Sequence, residues 1–290
     1  MTQRRMWTAI KAYTDGLRIL CRPLSLSACT VRQGYLLERN GLSVEGGTVF
    51  MLAVPYLVTE DAVDPERNVS LYAVPRDYHL FFKELTTDLL PLLKTEFPSY
   101  HTAVFADHSP IDEVEAACLA GLGHQGKNGL LLTHEYGSFV FLGEVITNAP
   151  FEEAVGSYAE EPPPALCTEC GRCIAACPIG CRADRVGCLS ALTQQKGTLS
   201  ETEQAQLAAH PLVWGCDTCQ TVCPVNRRIV AEGKDSPVPF FLKQRLVHLT
   251  YDVVNGMSDK DFSARAYAWR RRETVLRNLS FKHHTNGGTL

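Results

Sequence analysis

The sequence predicts an α+β protein: a mixed N-terminal domain, a compact cysteine-rich module and a helical C-terminal segment. Three observations carry this. In the first half of the chain, apolar runs of strand length alternate with stretches of helical period. The proline-rich stretch Glu160-Glu-Pro-Pro-Pro-Ala165 then reads as a stiff linker. Nine of the twelve cysteines follow it, between Cys167 and Cys223. The expected boundaries are 1–160, 161–232 and 233–290.

Taken in order, residues 4–13 read as a short amphipathic helix with Met6, Ile10 and Tyr13 on one side. Residues 14–47 show no clear period and are expected to form loops and turns. The apolar run 49–54, ended by Pro55, reads as a buried strand, and 59–70 as a polar loop. Residues 76–94 have Phe81, Leu85, Leu89 and Leu92 at helical spacing, with Pro91 expected to end or kink the helix. A strand over 101–106 leads into Asp107-His-Ser-Pro110, where Ser109 suits a helix N-cap and Pro110 the first helical position. That helix stops at Gly121. Strands over 128–133 and 138–147 follow, joined by a loop closing at Tyr136-Gly137. Residues 236–282 read as helical, with Phe262, Ala266, Trp269, Leu276 and Leu279 along one stripe and arginines beside it.

Composition excludes little beyond a membrane protein. The longest apolar run, 49–58, is too short to span a bilayer and contains Pro55. Arg4-Arg5 invites a twin-arginine export reading, but Lys11 and Asp15 interrupt the apolar core such a signal needs. With so many thiols, the expectation is a cytoplasmic protein; it is also expected to be a monomer with no membrane partner. The net charge of −4 is uneven: residues 1–40 carry +5 and 261–290 carry +4, leaving −13 between them. Two basic ends could together grip a polyanion such as RNA.

The cysteines carry the strongest signal. Cys167-x2-Cys170-x2-Cys173-x3-Cys177-Pro is the run of bacterial two-cluster ferredoxins, and Cys216-x2-Cys219-x3-Cys223-Pro repeats its spacing with one cysteine fewer. The two-residue gaps wrap a loop around one [4Fe–4S] cluster, while the cysteine before proline reaches the other. Cluster one therefore takes Cys167, Cys170, Cys173 and Cys223. Cluster two takes Cys177, Cys216 and Cys219, with either Cys181 or Cys188 as the eighth ligand. Cys188 has more room to reach and is the better candidate. A disulfide framework would need an oxidising compartment and usually a short chain. Zinc ribbons do not call for the third x2 step or the x3-Cys-Pro tail. The module moves electrons.

Its substrate should be sought in the first 160 residues. Gly121-Leu-Gly-His-Gln-Gly-Lys-Asn128 contains G-x-G-x-x-G, but it follows a helix and opens a strand, the reverse of a dinucleotide site. It reads as a glycine hairpin or as a close backbone approach to a flat cofactor. Asp107 lies between a strand and a helix start, as a capping or a functional carboxylate. Tyr72, Asp77, Tyr78 and His79 form a polar aromatic cluster near the preceding helix start.

These motifs together resemble the epoxyqueuosine reductase family. Tyr72-Ala-Val-Pro-Arg-Asp-Tyr-His79, Asp107-His-Ser-Pro110, Gly121–Asn128, Gly137-Ser-Phe-Val-Phe-Leu-Gly-Glu144, Gly215-Cys-Asp-Thr-Cys-Gln220 and Cys223-Pro-Val-Asn226 occur in the family's order, and Leu276-Arg-Asn278 extends the trace. The resemblance implies a nitroreductase-like cobalamin-binding domain followed by the ferredoxin-like module, in a short member without the C-terminal helical repeats. It implies two [4Fe–4S] clusters with Cys188 as the eighth ligand. Cobalamin would be touched by Leu131, Leu142, Cys216 and Asp217. Asp107 would be the proton donor, its pKa raised by burial against the cofactor. The implied substrate is epoxyqueuosine in the tRNA anticodon loop, with electrons from flavodoxin or ferredoxin. The sequence departs from the family at Val114 (arginine), His124 (tryptophan) and Ala191 (tyrosine), which bears on RNA recognition and leaves residues 265–277 as the RNA-facing element. Two other functions fit the same residues: an electron-transfer or corrinoid-activating protein, which needs no acid at Asp107, and a related reductase of small organic substrates.

Overall fold

The structure, a computed structural model, describes residues 5–158, 164–181 and 186–283. Most of the proline-rich stretch expected as a linker lies outside the described residues. The chain forms two compact units. The first comprises Met1–Pro55, Tyr78–Gly126 and Leu130–Glu169; the second comprises Tyr56–Asp77, Lys127–Gly129 and Cys170–Leu290. The units interleave along the chain, where the sequence suggested three consecutive segments.

Among the described residues the first unit contains six strands: β1 (Leu20–Ser25), β2 (Thr48–Pro55), β3 (Thr102–Phe105), β4 (His124–Gln125), β5 (Leu131–Leu132) and β6 (Val140–Thr147). Four of them make an antiparallel sheet in the order β1-β2-β6-β3. Every residue of β2 is buried, so this central strand has no solvent face with which its apolar run could alternate. β1 falls where loops were expected. Arg22 and Pro23 interrupt its apolar pattern, and the proline is tolerated because β1 lies at the sheet edge. A helix over Gly34–Arg39 also falls in that stretch. The core beside the sheet gathers Leu24, Leu37, Met51, Ile111, Ala116 and Ile146.

Three local corrections concern the residues around Asp107. The helix Tyr78–Glu96 runs on past Pro91. Pro91 and Thr87 are both exposed, so water can replace the bond that the proline removes. Its buried row is Phe81, Leu85, Leu89 and Leu93, while Leu92 is exposed. The next helix begins at Glu113 rather than at Pro110, capped by Asp112, whose carboxylate accepts the Glu115 N–H at 3.1 Å. The Ser109 hydroxyl is engaged elsewhere, as described below. The third correction concerns the expected strand over 128–133, which contracts to β5 and pairs with β4 while β6 joins the main sheet.

Gly143 of β6 fixes one helix on the sheet. A Cβ there would stand 2.4 Å from the Phe82 ring and 2.8 Å from the Phe105 carbonyl oxygen. Its absence lets the helix Tyr78–Glu96 seat closely enough to bring Tyr78 and His79 to the end of β3.

The second unit has its own core, in which Trp214, Tyr267, Val213, Leu249, Val275 and Leu279 are buried. Residues 236–282 are only partly helical: Tyr251–Gly256, Asp259–Ser263, a 3-10 turn at Ala268–Arg270, and Arg272–His283. Arg271, with a φ of 69°, breaks the expected continuous stripe between the last two. Phe262, Ala266 and Leu279 are buried, whereas Trp269 is 56% exposed. The buried Asn278 amide donates to the Thr193 carbonyl at 2.7 Å and to that of Val213 at 2.9 Å, which gives the Leu-Arg-Asn trace a structural role.

Candidate functional site

In the first unit a cleft of about 200 Å³ opens beside the end of β3. One wall is apolar, with Leu131 from β5 and Val140, Phe141 and Leu142 from β6; Val114 adds to the lining. Tyr78 stacks on Phe141 with ring centroids 4.3 Å apart. The acids of the lining are Asp107 and Glu113. Asp107 follows β3 with a φ of 63°, a conformation disfavoured for a side chain other than glycine, though aspartate and asparagine adopt it most readily. Its backbone N–H donates to Glu113 Oε1 at 3.2 Å, and His79 Nε2 lies 3.7 Å from its carboxylate. His108 turns the other way, with Nε2 3.0 Å from both the Tyr35 hydroxyl and Gln33 Oε1.

The electrostatics reverse one expectation. The contact with His79 holds the Asp107 carboxyl below its ordinary range, outweighing the opposing effect of burial, with His108 and Tyr78 adding to the lowering. The raised acids are its neighbours. Burial pushes Glu113 up to about 7, helped by the charge of Asp107. Burial pushes Glu144 up as well, with the Glu113 charge adding to the effect. Glu144 is fully buried on β6, opposite Phe105 of β3, and its Oε1 accepts the Ser109 hydroxyl at 2.5 Å. Neither glutamate was singled out by sequence reasoning. The available signal was a lone carboxylate within an apolar strand, which must be neutral or paired when buried.

The glycine motif resolves as a hairpin. A Cβ on Gly123 would stand 2.2 Å from the Leu132 carbonyl oxygen, so β4 and β5 can pair only with glycine there. The hairpin tip, Lys127–Gly129, belongs to the second unit, where Asn128 hydrogen-bonds the Cys219 thiol.

In the second unit, Cys219 is raised to about 11, first by burial and then by the nearby thiols of Cys216, Cys177 and Cys188. Cys181 also approaches Cys177 and Cys219, but its thiol donates to the Cys173 carbonyl at 3.2 Å. Cys223 precedes Pro224 at the start of the helix Pro224–Ala231, so the Cys-Pro step is also a helix start. Asp217, which the resemblance placed against the corrin, is 3% exposed. Its carboxylate accepts from Arg67 at 2.7 Å, from the Leu71 N–H at 3.0 Å and from the Ser70 hydroxyl. That side chain is therefore engaged inside its own unit, and a Cβ on the adjacent Gly215 would stand 2.4 Å from that of Ser70. Of the first-unit residues predicted from sequence, Asp107, Leu131 and Leu142 share the cleft.

The arginines of 265–277 are largely engaged as well. Arg265 donates to the Gln244 carbonyl at 2.6 Å, Arg272 to that of Met257 at 3.0 Å and Arg277 to that of Gly197 at 2.7 Å. At this surface Arg270 stacks over the exposed Trp269 ring, 3.6 Å from its centroid.

Residues 166–226 match the family described as a 4Fe-4S double cluster binding domain, which makes this an iron–sulfur protein. Over 214 residues the chain is 36% identical to the epoxyqueuosine reductase of Listeria monocytogenes, covering 70% of this chain and 53% of that one. Over 222 residues it is 33% identical to the epoxyqueuosine reductase of Gloeobacter violaceus, covering 74% of this chain and 68% of that one. The chain belongs to the epoxyqueuosine reductase family. It spans about half the length of the Listeria relative and two thirds of the Gloeobacter one. Its fold matches the crystal structure of an epoxyqueuosine reductase with a tRNA-Tyr epoxyqueuosine-modified tRNA stem loop, with a TM-score of 0.69 and 22% identity, covering 96% of this chain and 81% of that one. Among the described residues, no helix is long and apolar enough to cross a membrane.

Proposed function

We propose that this chain is a cobalamin- and iron–sulfur-dependent reductase that converts epoxyqueuosine to queuosine in the tRNA anticodon loop. The observation that carries this is a cleft with an apolar wall and an acidic end, in a family member that also holds a double-cluster module. Removing the epoxide oxygen as water consumes two electrons and two protons. The chain must therefore supply both an electron path and a proton path.

The electron path uses Cys167, Cys170, Cys173 and Cys223 for one cluster and Cys177, Cys188, Cys216 and Cys219 for the other. Cys188 lies near Cys216 and Cys219, both assigned to the same cluster, which supports it as the eighth ligand. Electrons enter from a small carrier such as flavodoxin or ferredoxin. The residues lining the cleft suit a flat, largely apolar ring: Leu131, Phe141 and Leu142 give it a wall, and no acid interrupts that wall. A cleft of about 200 Å³ takes one edge of a macrocycle rather than the whole, since drug-sized ligands fill roughly 300–1,000 Å³. Cobalamin, when bound, supplies a low-valent nucleophilic metal for opening the epoxide. Asp107 stands at the acidic end and delivers protons to the departing oxygen. Its fixed turn, with the N–H held by Glu113, aims the carboxyl without help from substrate. Trp269, with Arg270 stacked on it, offers an exposed ring for an unpaired base.

The test is anaerobic reconstitution with iron, sulfide and cobalamin, followed by incubation with tRNA carrying epoxyqueuosine and a reductant. Queuosine in the nucleoside mass spectrum is the expected result. Protein that binds cobalamin but leaves the epoxide untouched acts on another substrate. Protein with both clusters and no affinity for cobalamin is an electron-transfer protein.

A further inference from the structure

Two carboxyls lie directly behind Asp107. Glu144 Oε1 accepts the Ser109 hydroxyl at 2.5 Å, while among the described residues no donor reaches Oε2. Within hydrogen-bonding reach of this buried carboxyl is that of Glu113. Two ionised carboxylates cannot hydrogen-bond each other, because neither has a proton to donate, and burial strongly disfavours two adjacent negative charges. One proton held between them removes both difficulties. Asp107 and Asp112 add negative charge near Glu113, and the Cys29 thiol lies near Glu144. Glu113 also reaches forward, accepting the Asp107 backbone N–H at 3.2 Å and lining the same cleft.

We propose that Glu113 and Glu144 share one proton at neutral pH and supply it through Asp107 to the departing oxygen. The proposal rests on the epoxide-reduction reading. As the first C–O bond breaks, the shared proton passes from the pair to the Asp107 carboxylate, and from Asp107 to the developing alkoxide. The pair is left doubly ionised and recovers a proton from solvent. The second proton follows the same route as the second C–O bond breaks. The oxygen leaves as water, and the two electrons remain in the new C=C bond. Asp107 is thus the delivering carboxylate and not the store. Its contact with His79 favours the ionised form at rest, while the burial of the pair favours a held proton.

Infrared titration of the protein tests the store without substrate. A carboxylic-acid C=O band that persists at neutral pH and shifts in D2O is expected in the wild type and in Asp107→Asn. Glu113→Gln and Glu144→Gln should each alter it. If Glu144→Gln fails to fold, Glu113→Gln, at the partly exposed wall, carries the same comparison. Single-turnover conversion of epoxyqueuosine in tRNA tests the delivery. The wild-type rate should fall as pH rises through the midpoint of the band. Glu113→Gln should be slower by roughly 10²-fold or more and lack that step. Absence of the band in the wild type overturns the shared proton, even if tRNA is converted. A wild-type rate and pH profile in Glu113→Gln overturns the delivery. A wild type that shows the band but leaves the epoxide intact overturns the substrate reading, and the shared proton stands.

Discussion

Asp107 and Asp217 lie in different units and in opposite environments. Asp107 leaves β3 at a φ of 63° with its side chain 68% exposed, and the contacts that hold it are a backbone N–H and a histidine. Asp217 is 3% exposed, with its carboxylate oxygens engaged by Arg67, Ser70 and the Leu71 N–H. Both belong to motifs that carry the resemblance to the family, so the motifs alone do not separate them. Their surroundings do. A carboxylate whose acceptor positions are filled inside the fold holds the chain together, whereas one left open in a cleft can meet a substrate.

The comparison predicts different failures on substitution. Asp217→Ala leaves the Arg67 guanidinium, itself 10% exposed, as a buried charge without its carboxylate. The expected loss is about 3–5 kcal/mol in denaturant unfolding, with falling iron content. A loss below about 1 kcal/mol would mean that water or a neighbour already compensates Arg67.

The next effect concerns pH. The folded-state pKa of Glu113, raised to about 7, exceeds that of a free glutamic acid, so the folded protein binds protons that the unfolded chain releases. Stability is then greatest below the unfolded pKa and is lost as pH rises from there through about 7. The loss is on the order of a few kcal/mol, at roughly 1.4 kcal/mol per pKa unit. Glu144→Gln should flatten this decline in thermal melts taken across the window. A parallel decline in the variant would place the pH sensitivity outside the carboxyl pair. Asn278→Ala is smaller. Leaving two buried carbonyls without their donor costs about 1–3 kcal/mol, to be read from unfolding midpoints.

What could be read from the chain depended on whether the cause was local. The cysteine spacing is local, and it matches the double-cluster family over residues 166–226. The continuous apolar run of β2 and the strand β6 were legible because burial writes itself into consecutive residues. The cap of the helix Glu113–Leu119 was not, since the Ser109 hydroxyl that suits that role is taken by Glu144, 35 residues away. The Glu113–Glu144 pair was invisible for the same reason: it exists only once β6 pairs with β3. Leu92 and Leu93 both suit a helical stripe, and only packing against the sheet chooses Leu93. In the basic C-terminal stretch, charge composition does not reveal that Arg265, Arg272 and Arg277 donate to carbonyls of their own unit while Arg270 stacks on the exposed Trp269 ring.

The central claim is that the cleft carries the chemistry and that Asp107 delivers its protons. The most direct measurement compares wild type with Asp107→Asn, both reconstituted to the same iron content, for single-turnover conversion of epoxyqueuosine in tRNA and for unfolding midpoint. The predicted result is conversion slowed by roughly 10²–10⁴-fold, with stability within about 0.5 kcal/mol of wild type. Conversion at the wild-type rate by Asp107→Asn would contradict the account.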